Sequence, residues 1–131
     1  MRPMKKKKQK YELEYSMNTS MEILYTRLST PGGLSEWFAD DVNVDGNIYT
    51  FFWSKEPEQA EVLQKKENKI IRFRWLNEPD CKCYFEFKIN EHELTGDISL
   101  MITDFCLDEE KEDSIDLWDK QVADLKHVIG L

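Results

Sequence analysis

Residues 11–17 alternate between apolar and polar side chains. Tyr11, Leu13, Tyr15 and Met17 fall on one parity, and Glu12, Glu14 and Ser16 on the other. A period of two is the mark of a strand with one buried face. The period then changes. Thr19 followed by Glu22 has the form of a capping box, and Met21, Leu24, Tyr25 and Leu28 recur at helical spacing. A helix is expected from there to Thr30-Pro31-Gly32-Gly33, which breaks it. Leu34, Trp37 and Phe38 form the apolar face of a second, short helix ending at Asp40-Asp41.

Period two returns and persists for half the chain. Val42 to Val44 and Ile48 to Trp53 flank Asp45-Gly46-Asn47, a strong hairpin signal. Residues 59–65 form a more polar strand. Residues 66–69 turn the chain into Ile70 to Leu76, where Ile71, Phe73 and Trp75 face one way and Arg72 and Arg74 the other. A turn over residues 77–80 precedes a strand in which Cys83, Phe85, Phe87 and Ile89 alternate with Lys82, Tyr84, Glu86 and Lys88. After residues 90–93 turn the chain, the last strand runs from Leu94 to Phe105. There Ile98, Leu100 and Ile102 oppose Asp97, Ser99, Met101 and Thr103. Such alternation suits an antiparallel sheet with one wet face.

The chain closes on a helix. Asp108 to Asp113 places negative charge at its start, where the dipole favours it. Ile115, Trp118, Val122, Leu125 and Ile129 then form one stripe, with Asp116, Lys120, Asp124 and Lys126 on the opposite face. That stripe needs an apolar partner, and the ring-rich face of the sheet is the available one. The predicted class is α+β in the order β-α-α-β6-α.

Composition narrows the function. The 131 residues suit one domain. No apolar run approaches the roughly 20 residues of a membrane span, so no integral membrane association is expected. Net charge is −8, unevenly spread: residues 1–10 hold six basic side chains and no acidic one, leaving 12 basic and 26 acidic groups, a net of −14, on the other 121. A body that acidic repels phosphate backbones, so nucleic acid is excluded as a partner. The expected division is a basic, flexible segment at 1–10 and a folded domain at 11–131. The basic head runs into Tyr11-Glu12-Leu13-Glu14 and not into an apolar stretch, so export is not expected. Three cysteines (Cys81, Cys83 and Cys106) without framework spacing suggest a reduced, cytoplasmic protein. Cys81 and Cys83 read as small residues sharing the core face of a strand, and no metal or cofactor is expected.

The element order, together with Pro31, Gly32, Gly33, Leu34, Trp37 and Phe38 in the helical connection and Trp118, Val122 and Leu125 on the last helix, resembles the START-like (helix-grip) superfamily. The nearest resemblance is to the branch related to the activator of the ninety-kilodalton heat-shock protein's ATPase, in the compact form of small bacterial members. The resemblance covers Tyr11 to Ile129. It implies a curved antiparallel sheet wrapped around the C-terminal helix, often with a cavity between them. It also implies function classes: binding of lipids, sterols or polyketides, cyclase-like catalysis, or assistance to chaperones.

No catalytic constellation is evident. His92 falls in a turn, and His127 suits the end of the last helix. Asp40 and Asp41 are adjacent and tend to point apart. Tyr15, Tyr49 and Asp41 are the polar groups an enzyme would need inside a cavity. The expectation is a non-catalytic domain binding a small hydrophobic ligand, a lipid or aromatic metabolite. Its candidate lining is Trp37, Phe38, Phe51, Trp53, Phe73, Trp75, Phe85, Phe87, Leu100, Trp118 and Val122. Whether these side chains enclose a pocket or close on one another stays open at this level. The alternatives are a protein-interaction or chaperone-assisting domain, with a protein partner, and a cyclase-like enzyme.

Overall fold

A computed structural model of the chain describes residues 7–54, 56–78 and 81–131. The lysine-rich residues 1–6 lie outside the described residues. Strand β1 (Gln9–Met17) is followed by helices α1 (Met21–Ser29) and α2 (Pro31–Leu34). Six strands follow: β2 (Asp41–Asp45), β3 (Ile48–Trp53), β4 (Glu56–Lys66), β5 (Ile70–Trp75), β6 (Phe85–Glu91) and β7 (Ile98–Cys106). One 3₁₀ turn (Asp108–Glu110) then leads into α3 (Lys111–Ile129). The expected order is therefore the observed one. No helix among the described residues is long and apolar enough to cross a membrane.

The seven strands form one antiparallel sheet in the order β1-β7-β6-β5-β4-β3-β2. Strands β2 to β7 pair with their sequence neighbours, and β1 closes onto the last of them. Its register sets Tyr11 opposite Asp104, Leu13 opposite Ile102 and Met17 opposite Ile98. A register shift in β4 between Val62 and Gln64 interrupts its ladder with β5; such a bulge increases local twist and bends the sheet. The concave face carries Tyr49, Phe51, Ile71, Phe73, Phe85, Phe87, Leu100 and Ile102, all buried. Trp118, Val122 and Leu125 of α3 are buried against the same core.

Several local expectations shift. β1 begins at Gln9, ahead of Tyr11, and Lys8 is ion-paired with Glu78 at 2.6 Å. The N-cap of α1 is Ser20, one residue after Thr19, and its hydroxyl accepts from the Ile23 amide at 3.2 Å. The Pro-Gly-Gly segment does more than break a helix. Thr30 ends α1 and caps α2, accepting from the Gly33 amide at 2.9 Å while its hydroxyl donates to the Thr26 carbonyl at 2.7 Å. Pro31 opens α2, where its missing N–H costs nothing. The last strand starts at Ile98, later than Leu94, which is 92% exposed in the turn before it.

The cysteine reading is corrected. Cys81 and Cys83 lie in the irregular segment before β6, half-buried, and are joined to each other as a disulfide. Cys106 is the buried free thiol. The convex face is also drier than charge alone suggests. Glu86 is only 6% exposed, in an ion pair with Arg72 at 2.6 Å, and Arg72 in turn lies 4.1 Å from the Tyr84 ring centre.

Candidate functional site: an aromatic cleft under the C-terminal helix

One end of the sheet gathers the last residues of β3, β5 and β7 and the first residues of β4 and β6. The N-terminal half of α3 crosses above them. Between the two lies a cleft of about 410 Å³, lined by Phe38, Trp53, Glu58, Trp75, Phe85, Asp104, Ser114, Leu117, Trp118 and Gln121. That volume falls in the range of roughly 300–1,000 Å³ typical of small-molecule sites. The rings set its shape. Phe38 stacks on Trp118 with centroids 5.9 Å apart and meets Trp53 edge-on at 5.3 Å, and Trp75 stacks on Phe85 at 4.8 Å. Rigid rings in offset and edge contacts keep their positions at little entropic cost.

Phe38 is held in the cleft by its backbone. Its carbonyl accepts from the Trp53 indole N–H at 2.8 Å and from the Gln121 amide at 3.2 Å. A bulky residue in the α2–β2 connection is thereby tied to both β3 and α3. Trp37, its neighbour, points elsewhere. Its indole donates to the Arg27 carbonyl at 2.7 Å, and it lines a second, more polar cleft of about 420 Å³ beside Glu36, Asp40 and Asp124. Phe38, Trp53 and Gln121 stand between the two clefts and line both.

Of the eleven side chains expected to line a cavity, the structure brings five to the main cleft: Phe38, Trp53, Trp75, Phe85 and Trp118. Phe51, Phe73, Phe87, Leu100 and Val122 are buried behind them in the packed core. Both outcomes left open by the sequence therefore occur, a closed core at one end of the interface and an open cleft at the other.

The cleft also holds a group that sequence reasoning did not single out. Asp104 extends the inward parity of Ile98, Leu100 and Ile102 to the end of β7. Its Oδ2 accepts from the Trp118 indole N–H at 3.0 Å and from the Tyr11 hydroxyl at 3.3 Å, and its Oδ1 accepts from the Phe105 amide at 2.8 Å. Burial pushes its carboxyl above the usual range, and these three hydrogen bonds and the charge of Lys8 offset the rise only in part. The Tyr11 hydroxyl is likewise pushed up, by burial first and by Asp104 second.

The polar groups considered for catalysis lie outside this cleft. The Tyr15 hydroxyl donates to Asp119 at 2.7 Å and the Tyr49 hydroxyl to the Ser29 carbonyl at 2.7 Å. Asp41 accepts from the Val42 amide at 2.9 Å, and Asp40 accepts from the Ser54 amide at 3.0 Å, so each caps local backbone. His92 lies in the turn before β7 and His127 in the last turn of α3. Among the described residues one grouping has metal-ligand character, Glu78 with Cys81 and Cys83. Its two sulfurs are bonded to each other and its carboxylate to Lys8.

The family model described as a START-like superfamily domain matches residues 4–131. The chain belongs to the START-like superfamily. A Bacteroides fragilis protein, BfR322, solved in solution, is similar to this START-like chain at 45% identity and a TM-score of 0.68, over 95% of this chain and 93% of that one. The Aha1 dimer of Colwellia psychrerythraea shares 18% identity at a TM-score of 0.74, over 90% of this chain and 93% of that one. A Mesorhizobium loti protein shares 14% identity at a TM-score of 0.74, over 92% and 96%. The last two likenesses are of fold. No curated protein matches the chain.

Proposed function

We propose that this START-like domain is a non-catalytic binding module for a small hydrophobic or amphipathic ligand, such as a lipid or an aromatic metabolite, held in the cleft beneath α3. The observation that carries the reading is a cleft of about 410 Å³ walled by five aromatic side chains. Burial of apolar surface supplies roughly 25 cal/mol per Å², so such walls favour an apolar occupant. Leu117 supports the same reading: it lines the cleft and is 58% exposed, an apolar side chain placed where an entering molecule would cover it. Binding is favoured over catalysis because Asp104 already accepts three hydrogen bonds, and among the described residues no histidine or cysteine lines the cleft to act as base or nucleophile beside Ser114.

Nile red, a neutral solvatochromic dye, tests this directly. The native chain should bind it with a blue-shifted, enhanced emission. Ser114→Trp, which fills the cleft from α3, should abolish the signal while far-UV circular dichroism is retained. Unchanged dye binding by a folded Ser114→Trp variant would overturn the assignment of the site.

A further inference from the structure

We propose that the cleft selects a cationic amphiphile, an organic amine whose ammonium group is held by Asp104 and whose apolar body lies against the tryptophan walls. This deepens the binding reading above and rests on it.

The lining residues divide sharply by charge. Among the described residues two of them, Asp104 and Glu58, are acidic, and none is lysine, arginine or histidine. Asp104 forms no ion pair of its own among the described residues. The cation that acts on it, Lys8, is engaged with Glu78 at 2.6 Å. A carboxylate has about four acceptor positions. Three on Asp104 are taken, two on Oδ2 by Trp118 and Tyr11 and one on Oδ1 by the Phe105 amide. About one acceptor position on the carboxylate remains, and Asp104 lines the cleft. The three bonds fix the carboxylate in place, so an arriving N–H donor meets a preorganised acceptor.

The surroundings favour positive charge at the same place. Phe38, Trp53, Trp75, Phe85 and Trp118 line the cleft, and an ammonium within about 6 Å of a ring centre, over its face, is attracted by the ring quadrupole. Glu58 on β4 adds a second negative charge at the exposed rim. An anionic headgroup in the cleft would stand beside two carboxylates with no compensating cation among the described lining residues, and like charges at close range repel. The whole chain, at net −8, draws cations and repels anions at longer range. Burial without a paired cation also lifts the Asp104 carboxyl, and a bound ammonium would reverse that shift.

The test is a chain-matched series of decylamine, decanol and decanoate below their micellar concentrations, followed by tryptophan fluorescence and thermal shift on the full chain. Decylamine is expected to bind about tenfold or more tighter than decanol, the gain of a charge-assisted hydrogen bond, with decanoate weakest. Asp104→Asn should remove most of the preference for decylamine over decanol, leaving the smaller share that Glu58 supplies. Glu58→Gln, at the exposed rim, should reduce the preference for the amine by less. Decanoate binding as tightly as decylamine would overturn charge selection and leave the binding module standing. A folded native chain that takes none of the three would count against the binding module itself. Because the series is run on the native chain, the ranking of the three headgroups does not depend on either variant folding.

Discussion

Asp104 occupies a position where the rhythm of β7 would place another aliphatic side chain. Ile98, Leu100 and Ile102 face inward, and a period of two carries Asp104 to the same face, opposite Tyr11 of β1. A part-buried carboxylate whose burial outweighs its hydrogen bonds and the charge of Lys8 is a stability cost, and its sign can be worked out. The native carboxyl is raised above its ordinary value, so the folded state holds the proton more readily than the unfolded chain. The contribution is fully present below the ordinary range near about pH 4 and is lost as pH rises through the native value. Asp104→Asn does not titrate. We therefore expect its stability relative to the native chain to improve as pH rises from about 4.5 to 7, by at most about 1.4 kcal/mol per pH unit within the titration window. Urea unfolding at the two pH values measures it; a gap that stays constant or moves the other way refutes the assignment. The inward parity of β7 was legible in the sequence, and so was the parity that delivers Asp104. Its meaning was not, because alternation says which face a side chain takes and nothing of whether a helix closes over it. The same limit explains Phe51, Phe73 and Phe87, whose burial was legible but whose distance from the open cleft was not.

Among the elements, the α1–α2 connection shows what pattern reading can and cannot resolve. Pro31-Gly32-Gly33 reads as a break, and α1 does end there. The two glycines nonetheless have different tasks. A Cβ on Gly32 would meet open space, whereas one on Gly33 would run into the backbone of Thr26 and Arg27 in α1. Gly33 thus permits the close approach of α2 to α1 that delivers Trp37 and Phe38 to their places. Gly33→Ala should cost about 2–3 kcal/mol, since the obstruction is backbone and cannot step aside. Gly32→Ala should be neutral or stabilise by up to about 1 kcal/mol. Equal unfolding midpoints for the two variants in guanidinium would refute the distinction. The start of β6 departs from the sequence pattern for a related reason. Alternation runs back through Cys83, but pairing with β5 begins at Phe73 opposite Phe85, and pairing with β7 at Glu86 opposite Thr103. Residues 81–84 therefore have no ladder partner, and a strand is defined by its ladder as much as by its alternation.

For the whole molecule, α3 divides the fold into a closed half and an open half. Nineteen residues at 1.5 Å each give it a length of about 28 Å, enough to span from the cleft to the packed side of the core. Ser114, Leu117, Trp118 and Gln121 roof the cleft. Val122 and Leu125, further along, are fully buried, and the helix approaches α1 as well as the sheet. The amphipathic stripe was legible as one continuous feature running from Ile115 to Ile129. The division was not, because it depends on how the rings of Phe38, Trp53 and Trp75 pack beneath the first turns of the helix, which spacing along the chain does not specify. If stability resides in the closed half and binding in the open one, two leucines eight residues apart should separate them. Leu125→Ala leaves a void in the packed half and should cost about 2–5 kcal/mol by chemical denaturation. Its cleft should still bind Nile red under conditions where the variant remains folded. Leu117→Ala removes an exposed side chain, should change stability by no more than about 0.5 kcal/mol, and should weaken dye binding by removing part of the apolar rim. Comparable destabilisation by the two substitutions would mean that the first turns of α3 are as firmly packed as the last, leaving no preformed space beneath them for a ligand.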